Sequence, residues 1–484
     1  MEDDEQEELR CTGSDIEIEE YSDTEEPPFV GYQSLEKPFD TDSPNWKKFS
    51  FIFTLCTVIV SVSILVISFP LYLESVSAVS NGYSALLFTA FGSVCILAIV
   101  YFVKEKISPS PIPIPSSTRI SIPRNVILKI SLLYATSGIL IGLSLDQNRV
   151  LCHLQDPIKG IVLVFSLIYY FFFCHKMMSL QRIFSSTTII VGLFISVDYG
   201  LCDEFRCRGR EISGHTMSMR GSWGIRAVWT FVYVLALAAF TMFFTILERL
   251  FTTGNTGPLL PTNHSNFLQT VSRLVSSRDV RRRTNVEDGG RLLHVTDPDP
   301  TIKPKTFPKP PILETLLYIH IVTFIVILLF TWIDTLPGIG RGLLPADLYR
   351  TIKYGLMCHV KGSSSCTNVS GHAWTFLCAY VMFAISIVNF LSMCESAVFS
   401  VAATTVSLPL SGIWWSIYKM DVGINGGWIT LSPGVTGELI CALIGLPVVL
   451  LGLGLLTKSH FKETLPPYQI LQSTNNIQSD SFCR

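Results

Sequence analysis

Six polar side chains stand within or at the edges of long apolar runs, and their types suggest what chemistry the chain handles. His320 lies in the run Leu-Leu-Tyr-Ile-His-Ile-Val-Thr-Phe-Ile-Val-Ile-Leu-Leu. An imidazole there could take and release a proton in an organelle; the structural alternative is a hydrogen-bonded packing histidine. Glu395 and Glu438 are carboxylates next to apolar stretches. Intramembrane carboxylates usually face a bundle interior, which makes Glu395 a candidate proton or cation site at a cavity mouth and Glu438 a candidate luminal gate. The structural alternatives are a cap for the following helix at Glu395 and a first-turn charge on the positive end of a helix at Glu438. Lys129 could balance an anionic substrate, or could reach back to the headgroups beside Arg124. Asn389 suits an interhelical hydrogen bond. Tyr134 could stack on a planar substrate or pack against its neighbours. Asp146 and Asp334 fall at the ends of apolar runs, where an interfacial position is expected.

Other chemistries lack their motifs. The thirteen cysteines form no CxxC pair, and no HExxH appears, so no metal and no cofactor is expected. The absence of GxxxxGK[ST] argues against ATP-driven work within this chain. His153, His175, His215 and His372 are isolated, which does not suit a membrane-embedded enzyme, and nothing points to nucleic acid. Cys358 and Cys366 flank a short polar loop, and Cys202 with Cys207 flank another; each pair could form a disulfide in an oxidising lumen. Asn368-Val-Ser370 is an N-glycosylation acceptor sequence in the first of these loops, whereas Asn263-His-Ser265 lies on the expected cytosolic side. Three short patterns resemble sorting signals read by cytosolic adaptors: Tyr32 to Leu35, Leu292-Leu293 after Asp288, and Tyr468 to Leu471.

The elements that must hold these residues are membrane spans. A bilayer core of about 30 Å needs roughly 20 apolar residues of helix, because the backbone has to satisfy its own hydrogen bonds there. Ten segments qualify: 50–73, 84–103, 126–145, 158–175, 182–200, 226–248, 313–335, 372–393, 397–418 and 433–457. Only 15% of the residues are charged, which agrees. Residues 1–49 read as an acidic, disordered cytosolic tail. The first membrane half is 50–248, a polar loop fills 249–312, the second half is 313–457, and 458–484 is a second tail. Lys47, Lys48, Lys104, Arg119, Lys176, Arg281 and Lys458 all fall on one side if both termini are cytosolic, as the positive-inside rule requires. Arg206, Arg208 and Arg210 fall on the other, among Asp203, Glu204 and Glu211.

Segments 4–5 and 9–10 look related: each pair is a span ending in aromatics, a polar link, and a span carrying glycines (Gly192; Gly445, Gly452 and Gly454) that permit close helix contact. Five spans per repeat would invert the two halves, the arrangement of secondary transporters with a midplane substrate site. The stretch Ser396-Ala397, Thr404-Thr405-Val406, Leu408-Pro409-Leu410, Trp414-Trp415 and then Gly437-Glu438 to Gly454 resembles the drug/metabolite transporter superfamily. The loop of Cys358 and Cys366 is similar in position to one in its chloroquine-resistance-type branch. The resemblance implies an all-α polytopic protein of ten transmembrane helices in two inverted five-helix repeats. It implies a secondary active transporter whose partners are the bilayer and a small organic metabolite. Together with the sorting patterns, this gives as the expectation a multi-pass protein of an endosomal, lysosomal or other endomembrane, with the plasma membrane as the alternative. The competing expectation is a non-transporting scaffold or receptor that uses its cytosolic segments.

Overall fold

The computed structural model describes residues 44–77, 79–107, 124–146, 149–150, 152–174, 178–197, 206–207, 210–211, 223–252, 310–340, 342–360, 366, 369–423 and 426–464. Contacts divide the chain at Lys48: of the part before it only 44–48 are described, as the opening of the first helix, and Phe49 onward is one unit. The helices in chain order are α1 (Pro44–Ser77), α2 (Gly82–Ile107), α3 (Arg124–Leu145), α4 (Cys152–Lys159), α5 (Ile161–Tyr169), α6 (Leu180–Ser196), α7 (Trp223–Thr252), α8 (Ile312–Leu329), α9 (Pro345–Val360), α10 (Val369–Cys394), α11 (Ala397–Thr405), α12 (Ser407–Ile417) and α13 (Gly437–Thr464).

Among the described residues, nine helical stretches are long and apolar enough to cross a bilayer. Two of them are split into two α-helices, and a third, Ile312–Thr335, passes at Phe330 into a 3-10 turn. α4 and α5 are separated at Gly160 and continue into a π-helical turn at Tyr170–Cys174. α11 and α12 are separated at Val406. The remaining expected segment, 182–200, is the shorter apolar helix α6. The long spans such as α1, α2 and α8 are apolar around most of their circumference, as the lipid-facing and bundle-facing sides of a polytopic protein must both be. Phe53, Phe102, Phe231 and Leu329 are among the many large apolar side chains left exposed by the protein itself.

The described residues are overwhelmingly helical, as expected, with two short hairpins beside the helices. Arg206–Cys207 and Arg210–Glu211 form a short antiparallel pair, β1 and β2. A longer hairpin pairs β3 (Tyr418–Gly423) with β4 (Gly426–Leu431), Tyr418 opposite Leu431 and Gly423 opposite Gly426. The physical reason is a short link of alternating strand formers, with Met420 opposite Ile429 and Asp421 opposite Trp428, closed by Gly423 and Gly426 and too short for another span.

Small hydroxyl residues stitch the helices where their backbones come close. Ser137 Oγ donates to Ala236 O of α7 at 2.9 Å, and Tyr83 OH donates to Ile327 O of α8 at 2.6 Å. The Oγ atoms of Ser61 and Ser386 lie 3.2 Å apart between α1 and α10. In a bundle without a strong hydrophobic driving force between helices, such contacts and close packing hold the elements together.

Packing is tightest between α6 and α13. A Cβ added to Gly192 would lie 2.8 Å from Val449 N, and one added to Gly452 would lie 3.0 Å from both Ile189 N and Ser185 O. Gly445 faces Ser196 and Gly192 in the same seam. Gly454, expected to share this role, has open space where its side chain would be. Two residues after Gly452, it has rotated off the seam.

Asp146 and Asp334, at the ends of their spans, are buried within the protein. Asn81 explains the second: its Nδ2 donates to Asp334 Oδ2 at 2.5 Å, while its Oδ1 accepts the Ser84 amide at 3.1 Å at the start of α2. One side chain thus caps a helix and supplies the donor that a buried carboxylate needs.

Candidate functional site: a central cavity

A cavity of about 300 Å³ opens within the bundle. Its wall is drawn from α1, α2, α3, α7, α8 and α10 and from both interrupted spans; α6 and α13 contribute nothing to it. Lys159 and Val162 flank the break at Gly160, and Thr405 and Ser407 flank the break at Val406. The two breaks approach each other: a Cβ on Gly160 would lie 3.8 Å from Leu408 Cδ1.

Most of the wall is apolar or aromatic, including Phe69, Phe240, Phe376 and Phe383. Its polar part centres on His320. The imidazole Nδ1 lies 2.9 Å from the carbonyl oxygen of Leu316, one turn back on α8. A carbonyl can only accept, so Nδ1 carries hydrogen and Nε2 of the neutral ring is the acceptor. Tyr380 OH from α10 lies 3.4 Å from Nε2, and Tyr134 OH from α3 lies 2.6 Å from Tyr380 OH. In the neutral state the hydrogen bonds therefore run one way: Tyr134 donates to Tyr380, and Tyr380 donates to His320. Phe243 packs on Tyr134 with ring centroids 4.7 Å apart, which holds that ring in place.

A second histidine repeats this pattern. His359, in the last turn of α9, donates from Nδ1 to Gly355 O at 2.5 Å, and its Nε2 lies 2.7 Å from the hydroxyl of Tyr72, a cavity residue. Phe88 stacks on it at 4.4 Å. Burial pushes the His359 pKa below the ordinary histidine value, and the bond to Gly355 opposes that shift without cancelling it. The neighbouring Cys358 is joined to Cys366 (S–S 2.00 Å, Cα–Cα 5.4 Å), tying the end of α9 to the entry of α10. Tyr72 stacks on Phe376 at 5.2 Å and Phe376 on Tyr380 at 6.2 Å, so aromatic rings connect the two histidines along the wall.

Of the sequence candidates, the cavity brings together His320 and Tyr134. Lys129 is exposed on α3, outside the wall. The lysine that reaches the cavity is Lys159, whose Nζ lies 2.6 Å from Asp156 Oδ1. Asn389 is half-buried on α10 away from the cavity; its carbonyl takes the Ser392 hydroxyl at 2.8 Å. Glu395, in the link between α10 and α11, is the non-glycine residue with a left-handed backbone among the described residues, φ 48°. The cap of α11 is its neighbour Ser396, which accepts from the Phe399 amide at 3.4 Å. The buried carboxylate at this junction is Glu248 of α7, whose Oε2 accepts the Ala397 amide at 2.8 Å. Glu438 sits in the first turn of α13, with Oε1 3.8 Å from where a Gly412 side chain would begin. Asn368, Cys202, Tyr32, Leu35, Leu292, Leu293, Tyr468 and Leu471 lie outside the described residues, as does the side chain of Cys207.

Tyr380, Lys159, Tyr72, His359 and Glu248 were missed by sequence reading. Lys159 carried a local signal, the Asp156/Lys159 spacing at the mouth of an apolar run. Tyr380 and Tyr72 carried none, because what distinguishes them is a partner from a distant segment.

Fold and cavity together define a helical, multi-pass membrane protein. No protein-family model matches the chain, and no curated protein matches it in sequence.

Proposed function

We propose that the chain is a secondary active transporter that moves a small organic metabolite by alternating access and couples this to protons at His320. The observation that carries the reading is a cavity enclosed by helices from both halves, with a titratable imidazole in its wall wired to two tyrosines. Intramembrane ionisable groups of this kind are costly and mark transport and proton pathways. Two further features support inverted five-span repeats. Segments 4 and 9, equivalent in such a repeat, are each split into two α-helices, and residues flanking both breaks line the cavity. Segments 5 and 10 are the pair joined by glycines. Interrupted helices at a repeat interface are how transporters build a midplane site. Counting α6 as the tenth span puts both termini and the 249–312 loop in the cytosol, with the disulfide and Asn368 in the lumen of an endosomal or lysosomal compartment. Membership of the drug/metabolite transporter superfamily belongs to the same proposal.

The test is thermal unfolding of the purified protein against nucleotide sugars, nucleotides, amino acids, peptides, vitamins and organic ions at neutral and acidic pH. A ligand at a hundred times its Kd stabilises the folded state by about 2.7 kcal/mol. A selective shift that His320→Gln abolishes supports the reading. A folded protein that responds to nothing, and whose cavity variants behave as wild type in cells, favours the scaffold.

A further inference from the structure

The hydroxyls of the cavity wall are turned the wrong way for a ligand that needs donors. Thr89 donates to Ala85 O, Ser137 to Ala236 O, Thr405 to Ala402 O and Ser407 to Thr404 O, at 2.7–2.9 Å. Tyr134 spends its hydrogen on Tyr380 while His320 is neutral. The wall is then electrically neutral as well, since Lys159 is paired with Asp156.

A proton on His320 reverses the relay. Nε2 becomes a donor, so Tyr380 must accept from it and turn its own hydrogen toward Tyr134. Tyr134 can then no longer donate to Tyr380, and its hydrogen is released to the cavity it lines. The same proton leaves an uncompensated positive charge in an apolar enclosure, which is costly unless an opposite charge enters. The titratable groups meeting His320 are Tyr134 from α3 and Tyr380 from α10. Across the cavity stand Tyr72 from α1, Tyr233 from α7 and the Lys159–Asp156 pair from α4; α2 and the α11–α12 span present only hydroxyls and apolar groups there.

Resting on the transporter reading, we propose that the substrate is a small, apolar or aromatic monocarboxylate bound together with one proton, so that the loaded cavity is neutral. The carboxylate accepts from the released Tyr134 hydroxyl and neutralises the imidazolium; the proton comes from solvent and resides on His320 Nε2. An amine would meet the imidazolium as a like charge, and an amide would leave it uncompensated.

Calorimetric titration of the detergent-purified full chain, in buffers of different ionisation enthalpy, counts protons taken up per ligand. The probes are phenylacetate, phenylacetamide and phenethylamine. Expected is tightest binding of phenylacetate, with uptake of about one proton, and an affinity rising about tenfold per pH unit of acidification while free His320 is neutral. His320→Gln should lose the proton uptake and the pH dependence, and Tyr134→Phe should bind phenylacetate more weakly with the proton uptake retained. Tightest binding of the amine or the amide, or phenylacetate binding without proton uptake, overturns the monocarboxylate assignment and leaves a ligand cavity standing. Failure of all three probes on folded protein overturns it too. The transporter reading falls with it only if the broader metabolite panel is also silent.

Discussion

Glu248 accepts the Ala397 amide from within the bundle, so its removal leaves a helix start without its acceptor. A buried donor that loses its partner costs about 1–3 kcal/mol, and loss of a negative charge at a helix N-terminus adds to that. Glu248→Ala should therefore lower the unfolding temperature clearly, whereas Glu248→Gln, which keeps an acceptor oxygen, should recover much of the loss; equal losses would deny the hydrogen bond its part. His359 offers a second measurement. Unfolded, an imidazole titrates near pH 6.5; folded, burial holds this one lower. The unfolded chain then binds the proton more readily, so the stabilisation is complete above about pH 6.5 and declines as pH falls through that value toward the folded pKa. In unfolding scans from about pH 7.5 down to about pH 5, the gap between wild type and His359→Gln should narrow; a constant gap removes His359 from the pH response. At this scale the sequence was only half legible. His320 stood out because an ionisable group in an apolar run must be accounted for. Tyr380 and Tyr72 look like any aromatic until α10 and α1 bring them to a histidine, and Lys129 drew attention that belonged to Lys159.

Helix–helix seams test the element scale. Gly452 meets backbone atoms of Ile189 and Ser185, which cannot give way as a flexible side chain can, while Gly454 meets nothing. Overpacking of this kind costs typically 1–3 kcal/mol. Gly452→Val should destabilise the purified protein by about that much, and Gly454→Val should leave it unchanged; the reverse order in a thermal unfolding assay would refute the seam. Apolar run length made the spans legible, since hydrocarbon thickness dictates it. The breaks at Gly160 and Val406 had local marks, Pro157 and Gly160 at the first and Pro409 just after the second, but a reading by apolar run length passes over them. The β3–β4 hairpin was lost inside a link between two long apolar segments. The amphipathic α9 was hidden because its buried face is completed by α2 and α10 rather than by its own sequence.

For the whole molecule, orientation is the property on which every functional statement depends. With cytosolic termini, Asn368→Gln removes a glycan-dependent gel shift in cells and Asn263→Gln does not; the opposite pattern inverts the protein in its membrane and exchanges the compartments facing His359 and Glu248. The glycine seam between α6 and α13 has a mechanical consequence at this scale. Packed helices slide past one another on a layer of interlocking side chains that can change rotamer, and along this seam backbone meets backbone with almost no such layer between them. The pair therefore behaves as a stiff spar. Neither of its helices touches the cavity, so in the transport cycle proposed above the displacement that would open the cavity to each compartment in turn falls to the remaining helices, with this spar as their frame.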